Sequence, residues 1–413
     1  MARLLWLKIK VGSAAPCFQS LARKDIEAMA DEAVMVSIDE AKVATAKALM
    51  KIGWDEADAT LQAEIMTAAE VCGNNQGLVK MYNPVLMKPA EGASKPTIER
   101  DTGSSAVVNG NQSPGMLAAS MAADLAVQKV KAGITIAIVS AYNTSTSSGQ
   151  LGYYASKMAE QGVIGILMAN SPEFVAAQKG GKAVFGTNPM AFGIPKAGGA
   201  PVVFDMATSA VALFGVLTAK AKGVPLEEGV ACDKSGEYTT DAASVLDGGA
   251  IQTFGGHKGA GLSLMIELLA GALSGGAVLG QVDSKKTAKS WGHTVIAIMP
   301  GFGGPQEIGV GAGVQVKATG ESGKITMTNG HAHKVCGKWY MTDELSCIQG
   351  PLTDGFEEKA ASICTTVKGS GEGVRLPGES SAKIKEERVS KGELPIPKKI
   401  WDMIQKTGEE GLP

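Results

Sequence analysis

The stretch Gly255-Gly-His-Lys-Gly-Ala-Gly-Leu-Ser-Leu-Met-Ile-Glu-Leu-Leu-Ala-Gly-Ala-Leu-Ser-Gly275 decides how this chain is read. A glycine-rich turn carries His257 and Lys258 and then opens into an apolar segment. Such a junction suits an anionic ligand, because unpaired backbone N–H groups and the helix dipole both face it. A tight turn before a core helix is the plainer alternative. The run Ala260 to Leu279 has about the length of a membrane span. Glu267 and four glycines interrupt it, so a buried core helix followed by a glycine-rich turn is expected instead.

Three further segments lie upstream in a fixed order. They are GTNPMAFGIP (Gly186 to Pro195), VVFDMATSAVA (Val202 to Ala212) and DKSGEYTTDA (Asp233 to Ala242). With the HKG turn, they resemble the malate/L-lactate dehydrogenase family, which lacks a Rossmann fold and includes sulfolactate, ureidoglycolate and diketogulonate oxidoreductases. The resemblance covers roughly residues 35–300 and 345–405. No G-x-G-x-x-G or G-x-x-x-x-G-K-[ST] fingerprint is present, nor H-E-x-x-H or G-x-S-x-G. Rossmann, P-loop, metalloprotease and α/β-hydrolase readings therefore lack their signatures.

The chain has 413 residues with 45% hydrophobic and 19% charged residues, enough for a large buried core. Its 53 glycines and 5% aromatics point to tight turns and close backbone packing. A net charge of −2 gives no nucleic-acid footprint. The six cysteines are scattered without zinc spacing, which favours reduced thiols. The first acid is Asp25, preceded by Arg3, Lys8, Lys10, Arg23 and Lys24. Two readings stand for this end: a mitochondrial transit peptide, or a basic tail on a cytoplasmic enzyme.

Helical spacing runs over 35–72 with a break near Gly53, over 114–132 and over 153–161. Short apolar runs at 134–140, 163–170, 201–204 and 293–299 read as strands. Helices are expected near 207–222, 259–273 and 397–406. The alternation of strand and helix indicates an α/β core. Residues 301–340 are Gly-rich and alternating, which suggests hairpins in an insertion. The resulting organisation is a basic extension (1–34), an N-terminal helical part of a substrate lobe (35–130), an NAD(P)-binding α/β lobe (131–300), the insertion (301–340) and a C-terminal segment returning to the substrate lobe (341–413).

The resemblance implies a two-lobed, sulfolactate-dehydrogenase-like α/β fold, a homodimer and an NAD or NADP cofactor held by loops. The implied contacts are Ser171, Asp205, Met206, Ala207, Thr208, Ser209, His257, Lys258 and the Pro377-Gly378-Glu379 turn. Helix N-capping is the alternative role for Thr208 and Ser209. The implied reaction interconverts a 2-hydroxyacid and a 2-oxoacid by hydride transfer.

At the expected catalytic positions the chain departs from the family. The family's Ser-His-Gly motif reads CGNNQGLVKMY (Cys72 to Tyr82), with Gln76 at the histidine and Lys80 at a carboxylate-binding arginine. Its Asn-x-x-His segment reads NTSTSSGQLGYY (Asn143 to Tyr154), with Ser147 at the histidine. Gln exchanges no proton near neutral pH and Ser does so poorly without a base. Lys258, Lys80 or Tyr142 could replace them, since a desolvated lysine can titrate near neutrality. A non-catalytic dinucleotide-binding protein on the same scaffold is the other reading. His293 is expected to be structural, and His331 and His333 to share one face of a surface hairpin.

Overall fold

The computed structural model describes residues 32–74, 76–279, 291–300 and 355–412, with the backbone of short strands between 308 and 340. The basic end and His331 lie outside the described residues, and so does the side chain of His333.

A seven-stranded sheet forms the centre. Its spatial order is Thr97–Asp101, Ser105–Asn109, Ile136–Thr144, Trp291–Ile298, Ile164–Ala169, Met190–Ile194 and Val202–Met206. Only Ser105–Asn109 and Ile136–Thr144 run parallel as neighbours, and helix Gly115–Lys131 supplies the crossover they need. Helix Leu151–Glu160 links Ile136–Thr144 to Ile164–Ala169. These two strands do not pair with each other. Trp291–Ile298 lies between them, antiparallel to both, with Val295 opposite Val139 and Leu167.

Side chains alternate across this sheet as the pleat requires. Val139, Ala141, Leu167, Ala169, Val295 and Ala297 face the main core beneath the two helices. Ala118, Ala119, Ala122 and Ala126 are fully buried on Gly115–Lys131, and these small residues let the helix lie close to the sheet. On the opposite face, Thr294 donates to the Leu269 carbonyl at 2.7 Å, and Ile296 packs near Met168, Ile266 and Ala270. Gly292 permits this approach: a Cβ there would lie 1.8 Å from the Ala270 carbonyl oxygen.

A four-stranded sheet of Ala231–Cys232, Ala250–Gln252, Val175–Ala176 and Ala183–Phe185 carries a second core around Phe174, Phe185, Val216, Leu217, Val245 and Ile251. Two segments far apart in sequence meet elsewhere. Strand Ala33–Ser37 pairs antiparallel with Glu393–Pro397, and helices Ile38–Lys51 and Lys398–Glu410 pack together beside it. Helix Glu56–Val71 follows, started by Asp55, whose carboxylate accepts the Asp58 N–H at 3.0 Å.

Three expectations change. Residues 33–37 are a strand, not the start of a helix, because they pair with a segment near the other end of the chain. The helix expected from 207 starts only at Leu213, with Ala212 before it. Thr208 donates its N–H to the Thr187 carbonyl and Ala210 donates to Gln252, so this backbone is already bonded sideways. Thr208 and Ser209 are therefore not helix caps. Finally, His257–Ile266 and its π-helical continuation Glu267–Ala272 are not a fully buried helix. Leu262, Leu264, Met265, Leu268, Leu269 and Leu273 are 36–57% exposed in the single chain. Periodicity could not show this, since the run is apolar all round.

Residues 308–340 contain short antiparallel strands, including Gln315–Thr319 with Lys324–Met327 and His333–Val335 with Lys338–Tyr340. Among the described residues, no helix is long and apolar enough to cross a membrane, and no cluster suits a metal ion. Cys72, Cys232 and Cys364 are free thiols.

Candidate functional site

A buried polar knot joins the motifs that the sequence set apart. Asn188 donates to the Ser263 carbonyl at 3.1 Å and to the Glu267 carboxylate at 3.0 Å, and accepts from the Ser171 N–H at 3.3 Å. The Thr208 hydroxyl reaches the Thr187 and Asn188 carbonyls and lies 2.7 Å from Ser263 Oγ. Ser171 Oγ accepts from the Thr187 N–H at 3.0 Å. Glu267 also accepts from Asn170, at 3.1 Å. Burial pushes its carboxyl upward, and the Asn170 and Asn188 amides oppose that shift. GTNP, DMATS and HKG are thus tied into one unit around Glu267, a residue the sequence reading noticed only as an interruption.

The outer side of this unit is open. Gly255 and Gly256 have φ of 57° and 62°, with no atom within 4 Å of where a Cβ would stand. His257 and Lys258 follow, exposed on the first turn of the helix. A pocket of about 540 Å³ borders the turn, lined by Gln252, Thr253, Gly255, Gly256, His257 and Tyr238 among others. Two buried polar atoms nearby lack partners, Ser209 Oγ and Gln252 Nε2. Open glycine backbone, a helix N-terminus and unsatisfied buried donors are features that fit a dinucleotide phosphate and ribose.

Asp205 lies beside this region on Val202–Met206, next to Met206 and Ala207. Its carboxylate accepts the Gly152 N–H at 2.8 Å, and burial raises its pKa to about 6. The Leu376–Glu379 turn packs on the same strand. A Cβ on Gly378, where φ is +80°, would stand 2.5 Å from the Val203 carbonyl oxygen. The Glu379 carboxylate closes this turn by accepting the Leu376 N–H at 3.0 Å, and pairs with Lys368.

The two altered catalytic segments come together. A Cβ on Gly149 would lie 3.8 Å from the Gln76 carbonyl oxygen, and the helix start at Gly115 packs against Thr146, Ser147 and Ser148. Gly77 has no room for a side chain, since a Cβ would stand 2.3 Å from the Met66 carbonyl. Lys80 follows on the 3₁₀ turn Leu78–Tyr82 and is only 8% exposed. Its ammonium lies 5.6 Å from the centroid of the Phe214 ring, and no carboxylate of a described residue is within 4.0 Å. Desolvation lowers its pKa to about 8, with Glu70 opposing. Val79 and Tyr82 touch both hydrophobic cores, so the turn sits at their junction.

Tyr142 is set apart from this chemistry. Its hydroxyl donates to Glu99 at 2.6 Å, and that bond raises its pKa, which opposes service as a base. His293 is 2% exposed, neither ring nitrogen has a hydrogen-bond partner among the described residues, and burial lowers its pKa to about 4. Glu70 was missed. Its signal was an acid in the last turn of a helix, where the dipole disfavours it.

Comparison with known proteins places the chain within a family of enzymes. A family model described as malate/L-lactate dehydrogenase matches residues 36–310. The Δ1-pyrroline-2-carboxylate/Δ1-piperideine-2-carboxylate reductase of Pseudomonas syringae pv. tomato is 44% identical over 152 residues, 36% of this chain and 44% of that protein. The match thus spans less than half of that relative's length. The malate/(S)-sulfolactate dehydrogenase of Methanothermus fervidus is 34% identical over 275 residues, 65% of this chain and 80% of that protein. Among solved structures, the Δ1-piperideine-2-carboxylate reductase from Pseudomonas syringae superposes with a TM-score of 0.71 at 25% identity, covering 91% of this chain and 99% of that one. The sulfolactate dehydrogenase from Methanocaldococcus jannaschii gives the same TM-score of 0.71 at 25% identity, over 91% of this chain and 97% of that one. The chain belongs to the malate/L-lactate dehydrogenase family of oxidoreductases.

Proposed function

We propose that this chain is an NAD(P)-dependent oxidoreductase acting on a small substrate whose reacting carbon adjoins a carboxylate. The malate/lactate type of reaction, 2-oxoacid to 2-hydroxyacid, is one form of this chemistry, and reduction of a cyclic 2-imino acid is the other. One observation carries the reading: Lys80 is a buried cation with no carboxylate partner among the described residues, on a turn between the two cores. A substrate carboxylate satisfies it, and a charge-assisted bond in such a site is strong. His257, Lys258, Ser209, Gln252 and the Gly378 turn would hold the dinucleotide. When bound, the nicotinamide supplies the hydride.

Gln76 and Ser147 favour the imine. A carbonyl oxygen must gain a proton as hydride arrives, and neither side chain provides one well. A protonated imine brings its proton with it, so hydride addition to the C=N carbon gives the neutral amine directly. Relatives named as pyrroline-2-carboxylate reductases include one from Pseudomonas fluorescens, 51% identical over 118 residues. The same two residues also favour a second reading, a dinucleotide-binding protein without turnover. The exposed apolar face of residues 262–273 supports a homodimer in which a second copy covers it.

The test is NADH and NADPH oxidation with oxaloacetate, pyruvate and Δ1-piperideine-2-carboxylate. Turnover of the imine above the oxoacids is expected. Folded protein that binds NAD(P)H yet turns over none of them would favour the binding reading.

A further inference from the structure

Glu70 stands in an unfavourable place, buried in the last turn of Glu56–Val71. Three contacts compensate. Its carboxylate faces the backbone N–H groups of Leu78 and Val79, the first residues of the turn that carries Lys80, and their dipoles favour its charged form. Arg388, from helix Glu379–Lys391, donates to the Glu70 backbone carbonyl and adds positive charge. Gly77 brings the turn against it, since a Cβ there would stand 3.0 Å from Glu70 Oε1.

We propose that Glu70 is a positioning residue for Lys80: its carboxylate fixes the 77–82 turn and keeps the buried amine charged, ready for a substrate carboxylate. The inference rests on the carboxylate-binding role of Lys80 proposed above. A lone buried ammonium tends to release its proton, and a nearby anion opposes that release. Glu70 is not within ion-pair distance of Lys80, so it supports the charge without occupying the place a substrate would take. The charged groups acting on Glu70 are Lys80 and Arg388, and the one acting on Lys80 is Glu70. Burial places Glu70 near pKa 7 and Lys80 near 8, so the pair responds within the neutral range.

The test is Glu70→Gln, which retains an acceptor for the turn and removes the charge. Two quantities are read against pH: acetylation of Lys80 by acetic anhydride, followed by mass spectrometry, and KM for the turned-over substrate. The labelling midpoint should fall by roughly one pH unit, the scale of one opposite charge nearby. The rise of KM with pH should move down equally. In a Lys80→Arg background, Glu70→Gln should leave the KM profile in place, because guanidinium stays charged. Unmoved labelling and KM profiles in E70Q would overturn the proposal. If E70Q does not fold, Arg388→Gln should lower the same midpoint, by making Glu70 harder to ionise, and an unchanged midpoint counts against it. A Lys80→Met variant with unchanged KM would instead sink the carboxylate role, while the labelling result still judges Glu70.

Discussion

The Asp205 carboxylate accepts the Gly152 N–H at 2.8 Å, joining the DMATS strand to the first turn of the helix after the altered catalytic segment. The bond places an anion where the helix dipole favours one. Burial outweighs this and raises the Asp205 pKa to about 6. An acid with a raised folded pKa contributes stability below its unfolded value near 4, and loses it as pH rises through 6. Asp205→Asn keeps an acceptor and removes the charge. At pH 8 it should be more stable than the wild type by about 1–2 kcal/mol, with the gain vanishing near pH 4. Denaturant melts at the two pH values check this.

Lys80 has the opposite titration. Its folded pKa, about 8, lies below the ordinary 10.5, so the fold favours the neutral amine. Stability should therefore rise between pH 8 and 10.5, and Lys80→Met should abolish that rise. The same variant should raise KM by roughly tenfold to a hundredfold, the worth of one bond between charged groups. Unfolding curves at pH 8 and 10, with steady-state kinetics, separate the two effects.

Restoring the histidines distinguishes carbonyl from imine chemistry. In Gln76→His/Ser147→His, reduction of 2-oxoacids should gain about 10²-fold or more, the usual worth of a placed general acid. Imine reduction should change little. Equal gains on both substrates would show that the imine, too, takes its proton from the protein.

Thr208 and Ser209 are neighbours with different jobs. The Thr208 hydroxyl is fully bonded inside the knot, so Thr208→Val should destabilise by about 1–3 kcal/mol. Ser209 Oγ is buried without a partner, so Ser209→Ala should leave the melting temperature nearly unchanged. It should weaken NAD(P)H binding roughly fivefold, about one hydrogen bond. Thermal melts and fluorescence titration of the cofactor distinguish the pair.

Local pattern determined much of this protein. Apolar period and caps locate helices 115–131 and 151–160 and strands 136–144, 164–169 and 291–298 within a few residues, because each segment's burial is repeated along its own length. The GTNP, DMATS, DKSGEYTTDA and HKG motifs, in this order along the chain, are enough to bring out the family. What pairs across distance was settled only by the folded chain. Strand 291–298 inserts between two strands joined by one helix, and strand 33–37 finds its partner at 393–397. Thr208 exchanges an expected helix cap for bonds to residues 187, 188 and 263. Glu70 meets the turn of Lys80 only because Gly77 folds back on Met66. Hydrogen bonds and desolvation depend on which groups share a volume, and that neighbourhood is a property of the tertiary structure.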